Sequence, residues 1–139
     1  MPIVHFSRRY HFSSSHRLHV DALTEEQNYA TFGKCNNPHG HGHNYVLELT
    51  VRGPVHPETG MVADMVSLDQ AVQERVLTRF DLHNLNCDPV FADLVSSTEN
   101  LCRVAWKLLH DVVTSPAVLE RLRIEETSNN SFEYAGKEN

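Results

Sequence analysis

The chain has 139 residues, 40% of them apolar, and a formal charge of −6 from 12 Lys and Arg against 18 Asp and Glu, which is enough apolar material for one core and predicts one domain over 1–139. The acidic balance, with no run of Lys or Arg, excludes the concentrated positive charge that a nucleic-acid surface or an anionic membrane patch requires. No stretch reaches the ~18 apolar residues of a spanning helix, Met1-Pro2-Ile3-Val4-His5 has no apolar leader core, and three widely spaced cysteines suit a reducing compartment, so a cytoplasmic protein is expected.

Residues 4–12 alternate, with Val4, Phe6, Tyr10 and Phe12 on one face and His5, Ser7, Arg9 and His11 on the other. That is the period of a half-buried strand, interrupted on its apolar face by Arg8. Residues 19–40 are polar, contain Asn and Gly and match no regular element, and a loop of that length is expected to carry chemistry. A second strand follows over 43–52, where Tyr45, Leu47, Leu49 and Val51 face one way.

After the stop at Gly53-Pro54, Ser67-Leu68-Asp69-Gln70 reads as a capping box opening a helix that ends near Phe80, with Leu68, Ala71, Val72 and Val76 on one stripe. A second helix is predicted from Ser96 as N-cap and Glu99, followed by Leu101, Val104, Ala105, Leu108, Leu109 and Val112 at helical spacing. Leu122 and Ile124, a turn at Asn129-Asn130, and Phe132 and Tyr134 read as a closing hairpin. The order ββααββ predicts an α+β fold, a four-stranded antiparallel sheet with two helices on one face. Four strands cannot close a barrel, so open sheet edges predict self-association.

Ten histidines are many for this length, and three fall together as His39-Gly40-His41-Gly42-His43. At i and i+2 of a strand, His41 and His43 project from the same side, roughly 6–7 Å apart. His16 lies just past the first strand, where antiparallel pairing brings it beside the start of the second. Three imidazoles with an open position suit a catalytic zinc ion, whereas structural zinc sites are usually closed by four ligands rich in cysteine. His39, His5, His11, His19, His56 and His110 are expected to be ordinary exposed histidines.

Cys35 precedes His41 by six residues, in a segment with Lys34, Asn36 and Asn37. Beside a dication and a lysine its thiolate is favoured, which suits a base or nucleophile, although the spacing equally allows a fourth zinc ligand. Cys102 fits a buried thiol on the apolar helix, and Cys87 has no evident role. In Asp81-Leu82-His83-Asn84, Asp81 and His83 can form a proton relay or an ordinary helix-exit turn. Glu126 shares the parity of Leu122 and Ile124 and therefore points inward, which requires either an interface or an N–H-rich or cationic ligand.

These residues resemble the family of 6-pyruvoyl-tetrahydropterin synthase and 6-carboxy-tetrahydropterin synthase. The resemblance rests on Phe12-Ser13-Ser14-Ser15-His16-Arg17-Leu18, on the segment from Gly33-Lys34-Cys35 through His41-Gly42-His43-Asn44-Tyr45, on Ser97-Thr98-Glu99-Asn100-Leu101 and on Glu126-Thr127. It implies the tunnelling fold, in which trimers close their sheets into a barrel and two trimers form a homohexamer with sites between subunits. It also implies zinc on His16, His41 and His43, Cys35 as base, Glu126 as anchor for the pterin N–H groups, and Ser97 and Thr98 lining a neighbouring subunit's pterin pocket.

The implied reaction of the synthase takes 7,8-dihydroneopterin triphosphate to 6-pyruvoyl-tetrahydropterin with loss of triphosphate and no external redox cofactor. Magnesium could arrive with the triphosphate, for which Arg17 and Lys34 are contacts by charge alone. Two positions depart from the family pattern: Leu82 stands where an Asp-His pair would place histidine, leaving His83 one position late, and His39 stands where asparagine is common. The six-residue step from Cys35 to His41 favours the pyruvoyl enzyme over the carboxy enzyme of deazapurine biosynthesis. A non-catalytic zinc- or pterin-binding oligomer and a zinc hydrolase are the competing classes.

Overall fold

A computed structural model describes residues 1–138. Strand β1 runs Ile3–His16 and pairs antiparallel along its whole length with β2, His41–Pro54. Beyond β2 lie β4, Val118–Thr127, and β5, Asn130–Tyr134, both antiparallel. The expected four-stranded sheet gains a fifth member, because His83–Asn84 forms a two-residue β3 that pairs parallel with Ser14 and Ser15. The sheet is therefore mixed, in the order β3-β1-β2-β4-β5.

Three helical stretches replace the two expected. Helix α1, Glu25–Phe32, and a 3-10 turn over Gly33–Asn36 occupy the segment read as a loop. The α1 start is a reciprocal capping box, with Gln27 N donating to Thr24 Oγ1 and Thr24 N donating to Gln27 Oε1. Helix α2, Met65–Val72, continues through a π-helical turn, Gln73–Leu77, into α3, Thr78–Phe80. Asp64, not Ser67, caps α2: its carboxylate accepts from Val66 N and Ser67 N. Helix α4, Thr98–Leu109, is capped by Ser97 rather than Ser96, because Ser96 is fully buried with its carbonyl committed elsewhere.

The core lies between one face of the sheet and the helices α2 and α4. Tyr45, Leu47, Leu49 and Val51 of β2 meet Leu68, Val72, Val76 and Phe80, together with Leu101, Ala105 and Leu109. Arg8 stands opposite Leu49 on this same face. It is tolerated because Asp69 of α2 accepts two hydrogen bonds from it, at 2.7 and 2.8 Å, and a third from Tyr10 at 2.6 Å. Arg8 and Tyr10 thereby hold the Asp69 carboxyl below its usual range.

The opposite face of the sheet is polar. Arg9 is paired with Glu48, Glu48 with Arg123, and Arg123 with Glu133, an alternation of charge across β1, β2, β4 and β5. Opposite charges at directly facing positions are the favourable cross-strand arrangement.

Candidate metal centre and ligand pocket

His16 ends β1, and His41, its direct partner, opens β2, with His43 two residues on. All three lie on the core side, in line with Phe12 and Tyr45, so the cluster continues the apolar face at the sheet's end. Ring centroids are 4.6 Å apart for His16 and His41, 5.2 Å for His16 and His43, and 4.8 Å for His41 and His43. Gly40 permits this turn, since it adopts φ 74° and a Cβ there would meet the His16 carbonyl at 3.1 Å. Gly42 has no such need, as its Cβ would find only ordinary contact.

His16 Nδ1–H donates to the Ser96 carbonyl at 2.6 Å, which leaves Nε2 as the free lone pair. The buried side-chain atoms without a hydrogen-bond partner include His16 Nε2, His41 Nδ1 and His43 Nε2. One ligand atom from each of these residues lies within 4.8 Å of the others. Burial pushes all three imidazoles below the ordinary histidine value, against the opposing pull of Glu126. Three neutral, convergent, otherwise unsatisfied nitrogens are the donor set a zinc ion takes. Cys35 is not part of this group of potential metal ligands.

Glu126 borders the cluster. It follows the last β2 pairing of β4, at a bulge between Glu125 and Thr127, a local irregularity that re-aims a side chain. Its Oε2 lies 3.9 Å from both His16 Nε2 and His43 Nε2 and accepts a hydrogen bond from Thr98 Oγ1. Thr98 thus serves the Glu126 of its own chain, while the Ser97 hydroxyl is engaged in capping α4.

The Cys35 segment is tied to the residues after His16. Leu18 N donates to the Cys35 carbonyl at 3.0 Å, Asn36 Nδ2 to the Leu18 carbonyl at 2.7 Å, and Arg17 Nε to the Asn36 carbonyl at 3.1 Å. The Cys35 thiol is half-buried, Cys87 is exposed, and Cys102 is buried in the core, where burial pushes its thiol up to about 12. Asp81 and His83 do not bond through their side chains. Asp81 Oδ1 accepts from Ser13 N at 2.8 Å, whereas His83 Nδ1 donates to the Asp81 carbonyl at 2.6 Å. His83 and His43 line one shallow hollow of about 320 Å³ with Ser13, Ser15, Asn44 and Leu82.

Two contributors are not among the site residues that the sequence singles out. Ser96 acts through its backbone carbonyl, which no side-chain motif reveals. Tyr45 is completely buried, stacks on Phe12 with ring centroids 5.0 Å apart, and leaves its hydroxyl without a hydrogen-bond partner. Burial first, then Glu126, raises the phenol above its ordinary value, so it remains a neutral donor.

An α+β chain with three convergent imidazoles and a carboxylate at one end of its core defines a candidate metal-dependent protein. The family model described as 6-pyruvoyl tetrahydropterin synthase matches residues 5–137. The chain is 45% identical over 132 residues to 6-pyruvoyl tetrahydrobiopterin synthase of Homo sapiens, covering 94% of this chain and 90% of that one. Against the Drosophila melanogaster protein of the same name it is 42% identical over 136 residues, covering 97% and 81%. The solved structure of Caenorhabditis elegans 6-pyruvoyl tetrahydropterin synthase superposes with a TM-score of 0.92 at 43% identity, over 99% of this chain and 98% of that one. The chain belongs to the 6-pyruvoyl tetrahydropterin synthase family.

Proposed function

We propose that the chain converts 7,8-dihydroneopterin triphosphate to 6-pyruvoyl-tetrahydropterin with release of triphosphate, a carbon–oxygen lyase of tetrahydrobiopterin-type pterin synthesis. The observation that carries this reading is the meeting of three partnerless imidazole nitrogens with the Thr98–Glu126 pair at one end of the core. Relatives that carry the synthase name over nearly the whole chain support it.

His16 Nε2, His41 Nδ1 and His43 Nε2 would hold a zinc ion, which supplies positive charge beside the substrate's side-chain hydroxyls and makes the adjoining C–H more acidic. Glu126 accepts the pterin N–H groups; with Oε2 engaged by Thr98, Oε1 is free to turn to the ligand. Cys35 removes the side-chain proton, and His83, oriented by the Asp81 carbonyl, passes protons at the hollow it shares with His43. Two electrons leaving the side chain enter the ring, and elimination of triphosphate is itself redox-neutral, so the overall conversion needs no external oxidant or reductant. Magnesium enters with the triphosphate.

The working form is a cytoplasmic homohexamer, a dimer of trimers. Unpartnered sheet edges support association: β3 covers only Ser14 and Ser15 of β1, β5 ends the other side, and Ile3 and Val4 are exposed.

Zinc-loaded protein incubated with 7,8-dihydroneopterin triphosphate tests the reading by mass spectrometry and triphosphate release. The expected product is 6-pyruvoyl-tetrahydropterin. A 6-carboxy product with acetaldehyde would identify the carboxy enzyme instead, and zinc binding without any triphosphate release would leave a non-catalytic binding protein.

A further inference from the structure

The backbone ladder between β3 and β1 stops at Ser14 and Ser15, and a side chain carries it one step further. Asn86 Oδ1 accepts from Arg17 N at 2.6 Å, and Asn86 Nδ2 donates to the Arg17 carbonyl at 3.1 Å. A carboxamide can accept from the N–H and donate to the C=O of one residue, as the backbone of a neighbouring strand does. Its mount is firm: Leu85 is fully buried in the core, and Asn84 Oδ1 accepts from Asn86 N at 2.9 Å.

Arg17 is the junction at which distant parts of the site meet. It follows His16, whose ring bonds the Ser96 carbonyl, and the Ser96 hydroxyl donates to the Arg17 carbonyl at 3.4 Å. Its own Nε donates to the Asn36 carbonyl at 3.1 Å, one residue past Cys35, while Leu18 N donates to the Cys35 carbonyl at 3.0 Å. Apolar packing does not anchor the segment between these ends. The one buried residue of α1 is Asn28, and it bonds Val20, Leu23 and Thr24 of the same segment. The placement of Cys35 therefore depends on the polar neck at Arg17 and Leu18.

We propose that Asn86 is a positioning residue for the Cys35 thiol: by clamping both backbone groups of Arg17, it fixes the neck that sets Cys35 against the metal cluster. Asn86 is itself exposed, so the clamp adds little to global stability and its effect falls on alignment, where small displacements of a reacting group are costly.

The role of Asn86 rests on the proposed reaction with Cys35 as base, and the test separates the two. Asn86→Ala, Asn86→Asp, Cys35→Ala and the Asn86→Ala/Cys35→Ala double variant are compared with wild type for kcat, KM, zinc content, Tm and amide hydrogen exchange at Arg17 and Leu18. Asn86→Ala is expected to lower kcat about tenfold, the scale of one or two neutral hydrogen bonds. KM, zinc content and Tm should stay close to wild type, while exchange at Arg17 and Leu18 speeds up. Asn86→Asp keeps the acceptor for Arg17 N and should recover most of the lost kcat. In the Cys35→Ala background, Asn86→Ala should cost nothing further, because the group it aligns is gone. Unchanged kcat in Asn86→Ala, a loss carried by KM or zinc instead, or the same tenfold loss without Cys35 would each overturn the role of Asn86 and leave the proposed reaction standing. A wild-type protein without turnover, or Cys35→Ala with wild-type kcat, would overturn the proposed reaction or its base, and the role of Asn86 with it.

Discussion

His16 divides its two ring nitrogens between a backbone carbonyl and the cluster, and that division sets the chemistry at residue scale. All three cluster histidines have folded values pushed below the 6.5 of a free imidazole, chiefly by burial. The metal-free folded protein therefore binds fewer protons here than the unfolded chain does. Stability contributed by these neutral rings is full above about pH 6.5 and is lost as pH falls through their lowered values. Zinc binding should accordingly release almost no protons near pH 7 and progressively more as pH is lowered, which calorimetry in buffers of different ionisation enthalpy would register. Substantial proton uptake or release at neutral pH would contradict neutral ligands.

The placement of His83 is also decided residue by residue. Leu82 is 82% exposed at φ 58°, an unusual backbone state for a branched side chain, and it turns the chain so that His83 reaches the hollow beside His43. His83→Ala should lower kcat by roughly 10² or more without loss of zinc, the scale of a positioned acid–base group. A variant with wild-type kcat would remove His83 from the mechanism.

At the scale of elements, hydropathy patterning located β1, β2, the α2–α3 run, α4 and the final hairpin, because each lays an apolar stripe on the core. It missed α1, whose only buried side chain is Asn28. The capping signal Thr24-x-x-Gln27 was present in the letters but had no apolar run behind it. Asn28 holds the segment instead: its Nδ2 donates to the carbonyls of Val20, Leu23 and Thr24, and its Oδ1 accepts from Val20 N. Thr24→Ala should therefore cost about 1 kcal/mol in urea unfolding. Asn28→Ala should cost more, about 2–3 kcal/mol, because it strands buried backbone groups. If the two cost the same, Asn28 is not the organiser of this segment. β3 was equally invisible, since a two-residue parallel pairing has no period to detect.

For the whole molecule, the sheet carries one apolar face against the helices and one polar face with alternating charges from Arg9 to Glu133. Such a ladder ends with opposite charges on β1, which β3 leaves uncovered at Arg9, and on the outer strand β5, a pattern that favours heterologous pairing between copies over self-facing contact. Light scattering should give a mass of about six chains, and Glu133→Lys, which sets like charges opposite each other at Arg123, should shift the population to smaller species. A wild-type monomer with full activity would exclude a site shared between subunits.

The sequence by itself determined the two-face patterning of the strands, the helix stripes, the same-side placement of His41 and His43 and, through the Cys35-to-His43 segment, the family. These are local properties, written in periods of two and 3.6 residues and in short spacings. Tertiary structure decided that His16 faces His41 directly, that Ser96 orients it, that a bulge turns Glu126 toward the cluster to meet Thr98, and that Asp69 neutralises Arg8. Each of those contacts joins residues far apart in the chain through backbone carbonyls, register or irregular pairing, none of which has a periodic signature, and so they exist only once the sheet and helices have closed on the core.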